Sequence, residues 1–387
     1  SQWRAPASYY RTLIQVLSKE KRTYKDEARK YQTLDFKLKE EIIPRSHQAE
    51  ALEAWLEEKR LGTVCIPTGG GKTILAVLAM AKTQRSTLIV VPTIDLMQQW
   101  SEVLEKFIGG PIGLIGGGSY DIQNITISTY DSAHLHVERL GNLFGLIIFD
   151  ECHHLPGEQY KRIALSSLAP FRLGLSATIE RSDGKEELIF ELVGPLVYEG
   201  QVQEMVGAGL SPYNIITKEV PLTDKEREEY DSERALYLGF VRQQKINFSH
   251  PQGWQRFIFA SSRSKMGKRA MQAFRRQKKL AQASENKLKA LWEIIELHVH
   301  ERMLVFTDDN ALAYRIGHLF FLPVLTHKTK VKERKKMLES FREGKIKILV
   351  TSKVLNEGVD VPEASIGVVV SGSGTVREHV QRLGRIL

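Results

Sequence analysis

Short continuous runs of Val, Ile and Leu, separated by amphipathic segments, dominate the first half of the chain. They predict strands at Thr63–Pro67, Thr87–Pro92, Ile125–Thr129, Leu146–Phe149 and Arg172–Ala177, with helices over Ile74–Lys82 and Leu96–Phe107. Unbroken apolar runs, as opposed to strict alternation, argue for parallel strands buried on both faces. This predicts one α/β lobe over 41–197. A second set follows at Met303–Thr307, Val324–Thr326, Ile346–Val350 and Ile366–Val370, with helices over Ala311–Phe320 and Lys332–Phe341, and predicts a second α/β lobe within 198–387. Between the sets, about 223–292, the pattern is of polar helices without strands. Residues 1–40 read as a lead-in segment left from an upstream domain. They are rich in Lys and Arg, with Tyr10, Leu13, Ile14 and Leu17 at helical spacing. The expected fold class is α/β: two parallel-sheet lobes, with a helical insertion in the second.

Charge sharpens this picture. The 387 residues carry a formal charge of +9, yet eleven basic residues and one acid, Glu285, fall between Gln255 and Lys289. A near-neutral body with one strongly basic element points to a polyanion touched in one place; a solvated helix face is the plain alternative. With 42% hydrophobic and 26% charged residues, disorder is excluded as the main state. Two cysteines, Cys65 and Cys152, support neither a disulfide framework nor a cysteine metal site, and fit a reducing compartment. No apolar run approaches the ~20 residues that span a bilayer, so no membrane partner is expected. The start at Ser1 reads as a partial or trimmed chain.

The segment Pro67-Thr68-Gly69-Gly70-Gly71-Lys72-Thr73 follows a predicted strand and opens a predicted helix. Glycines there let backbone N–H groups turn inward around phosphate oxygens, and the helix N-terminus adds partial positive charge. Lys72 is placed to reach β- and γ-phosphates, and the Thr73 hydroxyl to hold Mg²⁺. The usual fingerprint begins with Gly; here Pro67 or Thr68 stands in that place. About 80 residues on, Leu146-Ile147-Ile148-Phe149 delivers Asp150 and Glu151 to the carboxyl end of a buried strand, where open α/β sheets bind ligands. Asp150 is the candidate Mg²⁺ holder and Glu151 the candidate base for an attacking water. Cys152-His153-His154 lacks the second ligand cluster that zinc requires.

At Asp150-Glu151-Cys152-His153 the chain resembles the DEAH-type motif of superfamily 2 helicases. Ser176-Ala177-Thr178, Asn356-Glu357-Gly358-Val359-Asp360-Val361-Pro362 and Gln381-Arg382-Leu383-Gly384-Arg385 follow in the family's order. Phe149 to Pro156, Phe171 to Thr178, Asp183-Gly184, Ser371 to Gly374 and Arg377-Glu378 resemble the XPB branch, especially its archaeal and bacterial members, over about residues 41–387. That resemblance implies two RecA-like lobes with a helical thumb in the second, and an ATP-dependent DNA helicase or translocase acting in DNA repair or transcription, with ATP and Mg²⁺ as cofactors. It implies an adenine contact from Arg45 and Gln48, and coupling of ATP to nucleic acid through His153, Ser176 and Thr178. It further implies nucleotide sensing by Gly358 and Asp360, and transition-state stabilisation by Gln381 and Arg385. Asp360 is also readable as a loop cap.

The resemblance implies DNA contacts from Thr93, Thr129, Thr351 and Ser352 at strand ends, and from Arg181 in a loop after Thr178. As lone residues these four hydroxyls read equally as strand caps. The basic stretch falls where the thumb belongs and offers Arg275, Arg276, Lys278 and Lys279 to DNA phosphates, with Trp254 and Phe274 set to stack on bases or to fill the thumb's core. The family's Arg-Glu-Asp loop reads Arg181-Ser182-Asp183 here, without its central acid. The expected partner is DNA, with a nuclease or repair complex left open, in the cytoplasm or nucleoid (the nucleus in a eukaryote). An RNA-stimulated ATPase and an ATPase scaffold that recruits a nuclease are the alternatives.

Overall fold

The computed structural model describes residues 4–67, 69–179, 184–200, 214–248, 250, 252–352 and 364–371, apart from the side chain of Val331. These fall into two compact units, one ending before Tyr213 and one beginning there.

The first unit opens with helix α1 (Tyr10–Lys19) and continues through α2 (Ser46–Glu57), β1 (Leu61–Cys65), α3 (Lys72–Thr83), β2 (Thr87–Val91) and α4 (Ile94–Phe107). There follow β3 (Ile112–Gly116), β4 (Ser119–Tyr120), β5 (Ile125–Thr129), α5 (Tyr130–Leu135), α6 (Val137–Leu140) and β6 (Leu146–Asp150). The unit closes with α7 (Lys161–Leu165), β7 (Phe171–Ser176), α8 (Glu187–Leu192) and β8 (Leu196–Glu199). The sheet order is β4-β3-β5-β2-β6-β7-β1-β8, parallel throughout except for the β3–β4 pair. The predicted strands in this half are all present, within two residues at each end. Strands β3, β4 and β8 are additions. Gly113 and Gly116 break the apolar run of β3, and β8 is only partly buried, so neither shows the continuous pattern of a central strand.

Apolar cores cover both sheet faces, as parallel sheets require. One is built around Trp55, Val77, Ile89, Trp100 and Ile148, the other around Val90, Tyr130, Phe149 and Leu155. Arg172 is buried among carbonyls, donating to the main chain of Ala164, Ser167, Ala169 and Leu192. Burial pushes its guanidinium down to about 10. The last-turn carbonyls of α7 and α8, which lack helical donors, stabilise this cation, which no carboxylate reaches among the described residues. The lead-in segment also belongs to this unit: Leu34, Phe36 and Leu38 pack against its core, and Lys30, Leu34 and Lys39 donate backbone N–H groups to the carbonyls of Asn142, Gln84 and Phe107.

The second unit contains α9 (Asp224–Gln243), α10 (Gly253–Ser262), α11 (Lys265–Gln282), α12 (Glu285–Leu297), β9 (Met303–Phe306), α13 (Asn310–Phe320), β10 (Val324–Leu325), α14 (Val331–Arg342), β11 (Ile348–Thr351) and β12 (Ile366–Val369). Its parallel sheet runs β10-β11-β9-β12. Helix α12 packs on that sheet through Leu288, Leu291 and Ile295. Helices α9, α10 and α11 instead enclose a core of their own, made of Tyr237, Phe240, Val241, Phe257, Ala270 and Ala273. The alanines let α11 approach α9 closely. Phe257, fully buried, meets Tyr237, Phe240, Trp254 and Phe274 at its edges and faces.

That small core predicts a local failure. Phe257→Ala should cost about 3–5 kcal/mol, as large-to-small core changes do. Because the core is separate, backbone hydrogen exchange should rise in α9–α11 and stay unchanged in the sheet of the first unit. Uniform loss of protection would show that the three helices are not an independent packing unit.

Candidate functional site

Strand order places the candidate groups on one edge of the first sheet. Adjacent strands β6, β7 and β1 end in Asp150, in Ser176 and in the run leading to Gly69, so their carboxyl ends bring both acidic and glycine-rich segments together. Gly69 and Gly71 sit at φ +81° and +80°, a conformation that side chains rarely adopt. At Gly71 a Cβ would also fall 2.2 Å from Gln48 Nε2. The loop is fastened from below by α2: His47 Nε2 lies 2.8 Å from the Gly70 carbonyl, and Gln48 Nε2 donates to the carbonyls of Gly70 and Gly71 at 3.3 and 3.2 Å. Gln48 Oε1 accepts from Arg45 N at 2.9 Å, closing the first turn of α2, while the Arg45 side chain is exposed. Thr73 lies in the first turn of α3, partly buried.

Lys72 donates to the Ile66 carbonyl at 3.3 Å and lies 3.7 Å from Glu151 Oε1. Glu151 adopts φ +48°, the left-handed region that disfavours a side chain. This turn carries the chain off the strand and sets Glu151 between Lys72 and His153, whose Nδ1 is 3.4 Å from Glu151 Oε2. His153 Nδ1 also reaches Ser176 Oγ at 3.0 Å. That hydroxyl donates to the Thr178 carbonyl and accepts from Thr178 N, so Nδ1 is the donor to it. A continuous polar chain therefore runs Lys72, Glu151, His153, Ser176, Thr178.

Asp150 is buried beside it. Its Oδ1 accepts from Glu151 N at 3.0 Å and its Oδ2 from Trp100 Nε1 at 2.8 Å, while Tyr130 Oη donates to its backbone carbonyl at 3.0 Å. Burial, and then the adjacent Glu151, push its carboxyl up to about 6, against the opposing pull of Lys72. An anionic, oxygen-only pair of this kind suits a hard cation such as Mg²⁺. Among the described residues no three His, Cys, Asp or Glu gather as a metal cage.

Farther along the same edge, the strands β2, β5 and β3 end in Thr93, Thr129 and Gly116-Gly117-Gly118. Thr93 caps α4 by accepting from Leu96 N at 3.2 Å; Thr129 caps α5 by accepting from Ser132 N at 3.3 Å. All three glycines have positive φ, and a Cβ on Gly118 would meet open space. The glycine run, His47, Trp100 and Tyr130 carry no chemical motif of their own; of these only three glycines in a row between two predicted strands were a usable sequence signal.

In the second unit the picture differs from expectation. Thr351 is fully buried and its hydroxyl donates to the Ser352 carbonyl; Ser352 is also buried and donates to Asn310 Oδ1. Both hydroxyls are engaged within the nucleotide-free fold, as is that of Thr129, which donates to Ser132 Oγ at 3.0 Å. In α11, Arg275, Arg276, Lys278 and Lys279 are all exposed, but α9 supplies acids: Arg276 pairs with Glu229 at 2.5 Å, and Arg269 with Glu233 at 2.6 Å. Lys278 lies 3.5 Å from Asp308. Phe274 packs into the three-helix core, while Trp254 keeps 43% of its surface exposed. Thr68, Arg181, Gly358, Asp360, Gln381 and Arg385 lie outside the described residues.

Asp150 has a consequence for stability. Its folded-state value is raised, so between about pH 4 and pH 6 the unfolded chain loses this proton while the folded chain keeps it. This group's contribution to the stability of the nucleotide-free protein therefore falls as pH rises through that window. Asp150→Asn carries no such charge. Chemical denaturation at about pH 4.5 and pH 7.5 should show the variant gaining on the wild type at the higher pH. An equal difference at both values would remove the buried-charge account.

Similarity to known proteins follows the same geometry. Residues 41–181 match the family model described as type III restriction enzyme, res subunit, and residues 286–387 match the helicase conserved C-terminal domain. The chain is 43% identical over 350 residues to the DNA 3'-5' translocase XPB2 of Sulfurisphaera tokodaii, covering 90% of this chain and 80% of that one. It is 31% identical to proteins named DNA 3'-5' helicase XPB from Kineococcus radiotolerans and Mycobacterium tuberculosis, spanning 57% and 54% of their lengths. Among solved structures, the Hef helicase domain of Pyrococcus furiosus aligns with a TM-score of 0.55 over 88% of this chain and 92% of that one. The Saccharomyces cerevisiae Dbp5 complex with RNA and ADP BeF3 aligns at 0.58 over 89% and 80%; at 17% identity each, these two show the fold alone, a RecA-like one.

Proposed function

The chain belongs to the XPB family of superfamily 2 helicases, and on that basis we propose that it is an ATP-driven DNA motor, a helicase or duplex translocase. The observation that carries the reading is the polar chain from Lys72 to Thr178, anchored at the ends of β1, β6 and β7. Backbone N–H groups of the Gly69–Gly71 turn and the α3 N-terminus receive the phosphates, with Lys72 on the β- and γ-phosphates. Thr73 and Asp150 would hold Mg²⁺, which when bound neutralises charge on the phosphates.

Phosphoryl transfer to water demands positioning and charge stabilisation. Glu151, in its left-handed turn, orients the attacking water and accepts its proton. Without nucleotide it rests against Lys72; phosphates drawing Lys72 away free Glu151 for this role. His153 and Ser176 tie Glu151 to the Thr178 backbone, so a change at Glu151 reaches the Ser176-Ala177-Thr178 segment. Thr93, Thr129 and the Gly116–Gly118 turn form a phosphate-gripping edge for one nucleic-acid strand. Arg275 and Lys279 add a second grip on the three-helix insertion. The relatives named as DNA 3'-5' translocase and DNA 3'-5' helicases support DNA as the substrate, and repair or transcription is the setting this reading takes.

Two measurements test this. Glu151→Gln should bind ATP with near wild-type affinity but hydrolyse it about 100-fold more slowly or worse, the range of a lost general base; ATP affinity falling while the saturated rate holds would reverse its role. Turnover should be stimulated by forked or duplex DNA, and RNA stimulating equally would favour the RNA-dependent alternative.

The salt dependence of DNA binding tests the insertion. Each phosphate contact adds roughly 0.7–0.9 to the slope of log K against log salt. Arg275→Ala with Lys279→Ala should flatten it by about 1.5, whereas Arg276→Ala, already paired to Glu229, should change it less. An unaltered slope in the double variant would return α11 to a solvated face.

A further inference from the structure

The two helices whose N-terminal threonines line the proposed strand-gripping edge each send an aromatic residue to one point. From α4, Trp100 donates its indole N–H to Asp150 Oδ2 at 2.8 Å; from α5, Tyr130 donates its hydroxyl to the Asp150 carbonyl at 3.0 Å. Both side chains are essentially fully buried, at 1% and 2% exposure. Both fill core volume, but packing requires neither polar atom: the Trp100 indole N–H and the Tyr130 hydroxyl each reach Asp150 in addition to what packing demands.

We propose that Trp100 is a positioning residue for the metal: its indole N–H fixes the Asp150 carboxylate so that it presents one set of lone pairs to the divalent cation, with Tyr130 fixing the main chain beneath. This rests on the reading of Asp150 as the Mg²⁺-holding carboxylate. Three features support it. An indole N–H is a donor only, so it always engages Oδ2 through the same proton, occupying one lone pair there, and can never turn an acceptor toward the carboxylate. The other carboxylate oxygen is held by Glu151 N at 3.0 Å, so both Asp150 oxygens have fixed donors and the group cannot rotate freely. The fixing donor comes from the helix that begins at Thr93, so the metal-holding carboxylate and the strand-gripping edge share one rigid element. Outer partners of this kind tune metal affinity by roughly 10- to 100-fold when removed.

Trp100→Phe removes the N–H and keeps an aromatic ring in the pocket. Leu104→Val, on the same face of α4 and fully buried, serves as a packing control that touches no polar group of the site. The probe is Mn²⁺ binding in the presence of ADP, followed by electron paramagnetic resonance, beside ADP binding without metal. Trp100→Phe should weaken Mn²⁺ binding about 10-fold and leave metal-free ADP binding within about 2-fold. Leu104→Val should change neither. An unchanged Mn²⁺ affinity in Trp100→Phe overturns the proposal, as does an equal loss in Leu104→Val or a parallel loss of metal-free ADP binding. Wild-type protein that binds ADP but no Mn²⁺ overturns the Asp150 reading and this one with it, which separates the two failures.

Should Trp100→Phe not fold, the wild type decides the matter. Among the described residues the two fully buried indoles are Trp55 and Trp100, and Trp55 donates to the Arg172 carbonyl on β7. Trp55→Phe assigns the first in a ¹⁵N-indole spectrum and leaves the other protected resonance to Trp100. Adding Mg²⁺ to the ADP-bound protein should shift the Trp100 resonance and not that of Trp55; a Trp100 resonance indifferent to Mg²⁺ overturns the proposal.

Discussion

Two carboxylates in succession at the buried end of β6 are the constraint around which the first unit is arranged. A pair of adjacent anions out of water is costly unless cations and donors surround it. The structure provides Lys72 and His153 against Glu151, and an indole N–H and a main-chain N–H against Asp150. Even so, Asp150 is pushed up to about 6. The strain at Glu151, in left-handed backbone, is a second cost at the same spot. Local instability of this kind persists only where the surroundings over-determine it. Here strand β6 is buried between β2 and β7, and two aromatic helix residues hold the turn. A bound divalent cation relieves the carboxylate repulsion, so ligand binding and local stability are linked by the same charges.

Much of this was legible in the sequence, and the reason is physical. Parallel strands buried on both faces leave continuous apolar runs, so β2, β5, β6 and β9 were readable almost to the residue. That the glycine turn and Asp150-Glu151 fall at strand ends was readable because each follows an unbroken apolar run that fixes where its strand stops. What escaped was whatever depends on a partner far away in sequence. Trp100 reads as one more apolar position of an amphipathic helix; only the fold reveals that its N–H meets Asp150. His47 looks like a surface histidine until α2 is seen beneath the Gly70 carbonyl.

The basic stretch illustrates the same limit from the other side. Its charge in sequence is real, but α9 brings Glu229 and Glu233 against α11, and those pairings are tertiary. The helix therefore has two kinds of cation: some tied to acids within the insertion and some, such as Arg275 and Lys279, facing outward without a paired acid among the described contacts. Exposed ion pairs are worth little on their own. Their effect here is to orient α11, fixing which side of the helix presents the outward cations. A charge count over the linear segment overstates how many phosphates it can neutralise.

Gln48 shows how far one side chain can bind a site together. Its oxygen closes the first turn of α2 while its nitrogen donates to two carbonyls of the glycine loop. The amide has one acceptor end and one donor end, so Glu in its place would aim a second acceptor at the Gly70 and Gly71 carbonyls, where none is tolerated. The same nitrogen occupies the space that a Cβ on residue 71 would need. Glutamine at 48 and glycine at 71 are therefore fitted to each other as well as to any nucleotide. The family resemblance gives Gln48 an adenine contact; in the nucleotide-free fold it holds the phosphate loop. Were a base to contact Gln48 as that resemblance implies, one side chain would join it to the glycine loop, because the same amide already holds the Gly70 and Gly71 carbonyls.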